Sequence, residues 1–302
     1  MDAVVGLADD VLRRDVGRHT PTPPHPATGR HLDYGRPVTP SSRVLDLFAV
    51  PDAVEPLPGG QGRSVRAGDL VLSPGRDADV AGWLNPVLAR LAVALDEAPA
   101  RRALDLRVAM PVPARDGSWV VDGWGASRYE PGTVACRDLD VTLAAGRVLH
   151  ARLAVAVRER PAGLDARADR WAVAERLAFA PASALARSDV KAAQRVAGLL
   201  EETSLGEEQL VHADLAGNVL LDAAGAAVVI DVAPSWRPVL WAEAVCVVDS
   251  VMWLDAPGSA LAAWTTGARR QAALRAIAFR ALADEPGHEA DYDDVIASVA
   301  SR

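Results

Sequence analysis

The stretch LVHADLAGNVLLDAAGAAVVIDVAPSW, residues 210–236, decides the fold that this sequence predicts. Its apolar residues predict three short strands, Leu210–His212, Val219–Asp222 and Ala227–Asp231. Polar side chains come where these strands end, at His212, Asp214, Asn218 and Asp231. A carboxylate can accept the proton of a hydroxyl nucleophile, and hard oxygen ligands from two segments can hold a metal-bound phosphate. The pattern therefore presents a base and a metal-binding amide in one loop, and a second carboxylate one hairpin later.

The loop after the first strand bears a family resemblance. HADLAGNVL at 212–220, followed by Ile230-Asp231, resembles the catalytic and metal-binding loops of the aminoglycoside phosphotransferase and choline kinase group, small-molecule relatives of the protein kinases. The loop reads HxDxxxN, one residue shorter than the usual HxDxxxxN. Gly-Gly-Gln-Gly at 59–62 and Pro-Ser-Trp-Arg-Pro at 234–238 are similar to an actinobacterial branch of the group. Apart from the resemblance, Asp214 and Asn218 can be explained as residues that cap turns between strands.

The resemblance implies an α+β fold with two lobes like that of the protein kinases, a small β-rich N-lobe and a larger helical C-lobe. It implies that Asp214 is the base or orienting carboxylate for an acceptor hydroxyl, and that His212 braces the loop by hydrogen bonds. It also implies that Asn218 and Asp231 hold Mg²⁺ against the phosphates of ATP or another nucleoside triphosphate. The implied substrate is a small molecule or a peptide with a hydroxyl group.

The segment at 55–74 predicts a β-hairpin with a glycine-rich turn. By resemblance it covers the nucleotide, and Gly60, Gln61 and Gly62 bring backbone N–H groups to the phosphates. The aligned third strand, DLVLSP at 69–74, has Ser73 where the family places a lysine that holds the α- and β-phosphates. Arg66, on the preceding strand, either reaches the phosphates from another direction or is an exposed strand arginine.

Both partners of the family's N-lobe ion pair are missing from the aligned positions. Lys191 is the only lysine among 32 basic residues, and the glutamate's position falls near Asn85 and Pro86. Two hypotheses therefore stand. The first is an ATP-dependent phosphotransferase with altered phosphate contacts, and the second is a kinase-like pseudoenzyme that serves as a binding or scaffold protein. The polar residues of the 212–231 loops favour the enzyme.

Composition argues against several classes of protein. The 302 residues have a formal net charge of −8, which argues against nucleic acid as a partner. No apolar run reaches about 18 residues without a charge, and the N-terminus lacks the basic start of a secretory signal. We therefore expect a protein without a membrane partner. Two cysteines are too few for a disulfide framework and suit a reducing cytoplasm. The sequence does not indicate an oligomeric state.

The order of these features predicts three parts of the chain. They are an N-terminal helix with a proline-rich extension at 1–42, an N-lobe at 43–131 and a C-lobe at 132–302. Six prolines from Pro21 to Pro40 exclude a regular element there and leave a linker or an extended strap. His19, His25 and His31 lie in this extension, and their spacing fits a solvated linker better than a metal site.

Hydrophobic periodicity predicts the remaining elements. A helix is expected at Asp77–Glu97, which Pro86 either interrupts or divides by starting a second part as a first-turn proline. Strands at Leu106–Pro113 and Ser118–Ser127 are expected to form a hairpin around Arg115-Asp116-Gly117. The helices predicted for the C-lobe are Leu139–Val157, Trp171–Phe179, Val190–Glu202, Trp241–Trp253, Ala260–Ala283 and Tyr292–Val299. His150, on an apolar face of the first of these, is interpreted as a core or capping histidine.

Overall fold

The computed structural model describes residues 39–57, 63–284 and 290–301, and these residues form one compact unit. The predicted N-terminal helix, the histidines of the extension, and Gly60, Gln61 and Gly62 lie outside the described residues. The described residues combine small sheets with many helices, so the predicted α+β class is confirmed. The predicted boundaries at 42 and 131 stay a prediction.

An antiparallel sheet forms the N-terminal part of the described structure. Its strands are β1 (Glu55–Pro56), β2 (Val65–Ala67), β3 (Leu70–Ser73), β5 (Val120–Val121) and β6 (Trp124–Arg128), in the spatial order β1-β2-β3-β6-β5. Helix α1 (Ser42–Phe48) begins where the Ser41 hydroxyl accepts the N–H of Val44 over 3.3 Å. One face of the sheet buries Val65 and Leu72 in a core cluster with this helix.

The predicted hairpin around residues 115–117 is confirmed in part, because the N–H of Ala114 donates to the carbonyl of Ser118 over 2.8 Å and residues 110–112 bond antiparallel to residues 126–128. The strand before it, β4 (Arg107–Val108), pairs in parallel with β10 (Ala227–Val229) instead of with its sequence neighbour. A second hairpin, between β5 and β6, was not predicted and is closed by Asp122 and Gly123. Their φ angles of 48° and 80° suit a two-residue turn of type I′. Asp-Gly occurs at both places, and the chain turns at each of them.

Helix α2 (Ala78–Asp96) confirms the prediction for this segment and continues through Pro86. By length and composition it is the one helix among the described residues that is apolar enough to cross a membrane. Its Leu84 and Leu88 are buried in a core cluster that includes residues of α3 (Leu139–Ala156). These leucines therefore face other parts of the protein.

Helices make up most of the C-terminal part. They are α4 (Ala162–Asp165), α5 (Arg170–Ala178), α6 (Ala182–Leu185), α7 (Lys191–Ala197), α8 (Val239–Trp253), a 3-10 helix (Gly258–Trp264), α9 (Gly267–Ala283) and α10 (Asp293–Ala300). The prediction of one helix over Ala260–Ala283 is corrected, because Thr266 is extended and Gly267 has a φ of 55°. Trp241 of α8 is fully buried and packs edge-on against Phe279 of α9.

Two small sheets complete the fold. One contains β4, β10, β9 (Val219–Leu221) and β7 (Val134–Ala135), in that spatial order. In the other, β8 (Glu208–His212) pairs antiparallel with β11 (Pro234–Pro238). The three strands predicted within 210–231 are therefore confirmed as β8, β9 and β10.

Candidate active site

The β9–β10 hairpin brings two of the predicted metal ligands to one end. Asn218 directly precedes β9, and Asp231 follows shortly after β10. Val219 pairs with Val229 in the ladder, and the N–H of Ile230 donates to the backbone carbonyl of Asn218 over 3.0 Å. Asn218 and Asp231 therefore lie at the same end of the hairpin.

His212 joins the loop of Asp214 to the loop that follows Asp231. Its Nδ1 accepts the backbone N–H of Asp214 at 3.2 Å and that of Ala233 at 3.3 Å, so the proton of the neutral ring is on Nε2. Its own backbone N–H donates to Nε2 of His150 over 3.1 Å. Burial lowers the pKa of His212, and burial together with the neighbouring His212 lowers the pKa of His150 to about 3. Both rings are neutral at pH 7 and serve as hydrogen-bonding supports.

Asp214 is held on two sides and open on a third. The amide Nδ2 of Asn218 donates to the backbone carbonyl of Asp214 over 2.6 Å and to its Oδ2 over 3.2 Å. The guanidinium of Arg280 donates to Oδ1 over 2.6 Å. The Asp214 side chain is nevertheless 48% exposed. An incoming hydroxyl group can therefore approach its carboxylate.

Arg280 is buried and holds a second carboxylate, that of Asp249. Its Nε donates to Asp249 Oδ1 over 2.8 Å, and its Nη2 donates to both Asp249 and Asp214. Burial opposes the charge of Arg280, but the two carboxylates outweigh burial and raise its pKa. Burial also raises the pKa of Asp249 to about 6, although Arg280 acts in the other direction. At pH 7 the guanidinium is therefore protonated and the Asp249 carboxylate is ionised.

Asp231 is paired with an arginine that comes from the N-terminal sheet. Arg76 Nη1 donates to Asp231 Oδ1 over 2.5 Å. Burial opposes the charge of this carboxylate, but Arg76 outweighs burial and lowers the pKa of Asp231. Asp231 has a φ of 49°, in the left-handed region that aspartate enters more readily than most residues. Such backbone conformations cluster at functional sites.

The loop between β3 and α2 directs Arg76 to that position. Gly75 has a φ of 73°, and the backbone N–H of Arg76 donates to the carbonyl of Gly123 over 2.9 Å. The Arg76 stem crosses Gly125, where an added Cβ would lie 3.1 Å from its Cγ. Gly125 is paired with Ser73 across the sheet, and paired residues point to the same face. Arg76 therefore lies on the face to which Ser73 points.

The structure does not bring Arg66 to this position. Arg66 Nε donates to the carbonyl of Gly68 over 3.0 Å. Gly68 lies just before β3 and Ser73 is the last residue of β3, so these two residues are roughly 10 Å or more apart. The Ser73 hydroxyl is hydrogen-bonded to the hydroxyl of Ser64 at 2.9 Å. It is Arg76 that reaches a predicted metal ligand.

Sequence reasoning missed both Arg76 and Arg280. For Arg280 a signal existed, because it follows Ala276 and Ile277 by four and three residues and so lies on the buried face of α9. A charge on an apolar helix face needs a partner and points to a site. Arg76 follows an ordinary Ser-Pro-Gly turn, and a local pattern does not reveal its distant partner.

Asn218 and Asp231 supply the donors that Mg²⁺ prefers, an amide oxygen and a carboxylate. Within residues 39–57, 63–284 and 290–301, no group of three or more His, Cys, Asp or Glu is placed to hold a metal ion. Mg²⁺ commonly takes one or two carboxylates and completes its shell with water and phosphate oxygens. The donors therefore fit Mg²⁺ bound together with a nucleotide. The position of Arg76 also fits such a site, because its guanidinium balances the charge of the Asp231 carboxylate that would hold the metal ion.

Solved structures of small-molecule kinases resemble this chain. An aminoglycoside phosphotransferase from Alicyclobacillus acidocaldarius matches with a TM-score of 0.50 and 14% identity, over 87% of this chain and 91% of that chain. A choline kinase from Streptococcus pneumoniae has a TM-score of 0.44 and 14% identity, over 85% of this chain and 93% of its own. A microcompartment-associated aminopropanol kinase has a TM-score of 0.45 and 20% identity, over 85% of this chain and 92% of its own. The sequence matches no protein-family model and no curated protein. The predicted two-lobed kinase-like fold, that of an aminoglycoside phosphotransferase, is confirmed.

Proposed function

We propose that this chain is an ATP-dependent phosphotransferase that acts on a hydroxyl group of a small molecule or a peptide. One observation supports the proposal above all. On the fold of an aminoglycoside phosphotransferase, Asn218 bonds to Asp214 and lies at the same hairpin end as Asp231. A proton acceptor and two hard oxygen donors are most of what phosphoryl transfer requires from a protein, because the reaction depends mainly on positioning and charge neutralisation.

In this proposal Asp214 takes the proton of the attacking hydroxyl as the new O–P bond forms, while the bond from the γ-phosphorus to the bridging oxygen breaks and ADP leaves. Its Oδ1 is held by Arg280 at 2.6 Å, and its Oδ2 has a longer contact of 3.2 Å with Asn218. Oδ2 is therefore the oxygen that accepts the proton. His212 keeps the carboxylate in place through the backbone N–H of Asp214. A positioned base of this kind accelerates a reaction by about 10²–10⁴-fold.

Asn218 and Asp231 are the residues that would hold Mg²⁺. When bound, the ion neutralises the charge that accumulates on the transferred phosphoryl group. The lowered pKa of Asp231 keeps its carboxylate ionised at neutral pH, so the donor is ready to bind. We further propose that the protein works in the cytoplasm, without a nucleic-acid or membrane partner. Its net charge of −8 and its two buried, unpaired cysteines support this.

A second candidate function is that of a kinase-like pseudoenzyme that binds a partner. The observation that favours it is that each carboxylate of the site already has an arginine beside it, Arg280 on Asp214 and Arg76 on Asp231. A site neutralised by its own cations can keep its shape without turnover.

A thermal-shift screen with ATP, GTP and ADP, each with and without Mg²⁺, tests the proposal. Ligands that bind the native state raise Tm, by more the higher the ligand concentration is relative to Kd. The phosphotransferase predicts a rise that is larger with Mg²⁺, together with slow phosphate release from ATP. If Tm rises but the wild type releases phosphate no faster than Asp214→Asn does, the result favours the pseudoenzyme. No rise with any nucleotide would overturn the phosphotransferase.

A further inference from the structure

Arg76 and Asp231 form an ion pair between segments 155 residues apart in the sequence. Arg76 belongs to the loop that follows β3, and Asp231 belongs to the loop that follows β10. The pair thus ties the N-terminal sheet to the predicted metal site. A change at one of these two loops can therefore act on the other through this contact.

Both side chains of this ion pair are exposed enough for a ligand to reach them and replace one of the two partners. The side chains of Arg76 and Asp231 are 36% and 37% exposed. An ion pair with this exposure contributes little to folding. A guanidinium binds phosphate oxygens through two parallel hydrogen bonds, which is a stronger arrangement than a single contact with a carboxylate. A nucleotide phosphate can therefore take Arg76 from Asp231.

Contacts of its backbone and of its side-chain stem direct the guanidinium of Arg76 across the N-terminal sheet. Its backbone is fixed by the bond to the Gly123 carbonyl, and its stem lies on Gly125. Gly125 faces Ser73 in the neighbouring strand. The guanidinium thus leaves the sheet from the face that Ser73 occupies, three residues further along the chain.

We infer that Arg76 is the phosphate-binding cation of the N-terminal sheet, and that it holds Asp231 until a nucleotide arrives. This inference rests on the proposed function, because it requires a nucleoside triphosphate in the site. Arg76 supplies the positive charge that Ser73 lacks. When the phosphates take the guanidinium, the Asp231 carboxylate becomes free to bind a metal ion.

An order of binding follows from this exchange. Before a nucleotide binds, a divalent cation must compete with Arg76 for Asp231, so the metal alone binds weakly. After the phosphates engage Arg76, metal binding requires no such competition. Removal of the guanidinium should therefore have opposite effects on the two ligands.

The variant Arg76→Gln tests these opposite effects, with Arg43→Gln as its control. Arg43 forms an exposed ion pair with Asp122 in the same part of the protein, over 2.5 Å. The first titration uses a non-hydrolysable ATP analogue without metal and is followed by calorimetry. The second uses Mn²⁺ alone, which prefers the same hard ligands as Mg²⁺ and is visible by electron paramagnetic resonance.

For Arg76→Gln we expect metal-free nucleotide affinity to fall about tenfold or more, because a charge-assisted contact is lost. We expect Mn²⁺ affinity to rise by up to about fivefold, because Asp231 has no competing cation. Arg43→Gln should change neither. If Arg76→Gln leaves both affinities unchanged while the wild type binds nucleotide, the inference is wrong and the proposed function stands. If the wild type binds no nucleotide in either titration or with Mg²⁺, the proposed function fails together with the inference.

A second variant, Gly125→Ala, keeps the charge and disturbs only its position. The added methyl group would lie 3.1 Å from the Arg76 Cγ, so the stem must shift. We expect nucleotide affinity to fall by a smaller factor than in Arg76→Gln, with Tm unchanged. Gly125→Ala with wild-type nucleotide affinity would show that the position of the stem does not matter and would count against the inference.

Discussion

The guanidinium of Arg280 donates to Asp214 Oδ1 over 2.6 Å from a buried position. Arg280 is itself anchored by Asp249. One oxygen of the candidate base is therefore held by a cation that is fixed inside the protein. We interpret Arg280 as a positioning residue, which sets the direction in which the second oxygen of Asp214 points.

The first prediction concerns the stability of this buried network. Arg280→Gln leaves the Asp249 carboxylate buried without its counter-ion, so it should destabilise the protein by about 3–5 kcal/mol. Urea unfolding at pH 7 measures the change. The double variant Arg280→Gln with Asp249→Asn removes the unpaired charge and should recover a large part of the loss. A single variant within about 1 kcal/mol of wild type would show that Arg280 is not anchored in this way.

The second prediction separates chemistry from folding at Asp214. Asp214→Asn cannot accept a proton, so turnover should fall by about 10²-fold or more while nucleotide affinity is kept. Phosphate release from ATP is the assay until an acceptor is known. Asp255→Asn is the control, because that carboxylate is 95% exposed and lies outside the proposed site. Equal rates for Asp214→Asn and wild type would remove Asp214 from the mechanism.

The third prediction is a loss of stability in acid that originates at His150. Its pKa is about 3 in the folded protein and about 6.5 in the unfolded chain. Between these values the unfolded state binds more protons, so stability is complete above pH 6.5 and falls as the pH falls. From pH 6.5 to 5 this residue alone should account for roughly 2 kcal/mol.

The variant His150→Gln isolates this contribution, because glutamine can still accept the N–H of His212 and does not titrate. Urea unfolding of both proteins at pH 7 and pH 5 gives the comparison. The variant should lose less stability on acidification than the wild type. The same loss in both proteins would mean that His150 does not become protonated on unfolding.

The fourth prediction asks whether Arg76 replaces the missing lysine. Ser73 points to the face on which the Arg76 stem lies. In the Arg76→Gln background, Ser73→Lys should therefore restore part of the lost nucleotide affinity, by about fivefold. In the wild-type background the same change crowds two cations and should give no gain. Calorimetry with an ATP analogue distinguishes the two cases, and the absence of rescue would place the phosphates elsewhere.

The strands around the site could be predicted because their signals are local. Short apolar runs mark β8, β9 and β10, and Gly225 marks the turn between the last two. Once these strands are predicted, the polar residues at their ends can be recognised as site candidates from their place in the sequence alone. The glycine-rich turn at 59–62 lies outside the described residues, so that part of the hypothesis stays a prediction.

The ion pairs of the site could not be predicted from local pattern. Arg76 is 155 residues from Asp231, and Arg280 is 66 residues from Asp214. Nearly all of the 32 basic residues are arginines, so their identity does not select a pair. The same limit explains β4, whose partner is β10 and not the strand next to it in sequence. Long-range pairing of this kind depends on how the complete chain packs.

The magnesium dependence of nucleotide binding in Asp231→Asn tests the central claim most directly. Replacement of the carboxylate by an amide removes the charged metal donor and retains its shape. Calorimetric titration of a non-hydrolysable ATP analogue, with and without Mg²⁺, should show tighter binding with Mg²⁺ in the wild type. In Asp231→Asn that gain should be largely lost. The same gain from Mg²⁺ in both proteins would contradict the assignment of Asp231 as the metal ligand of a phosphotransferase.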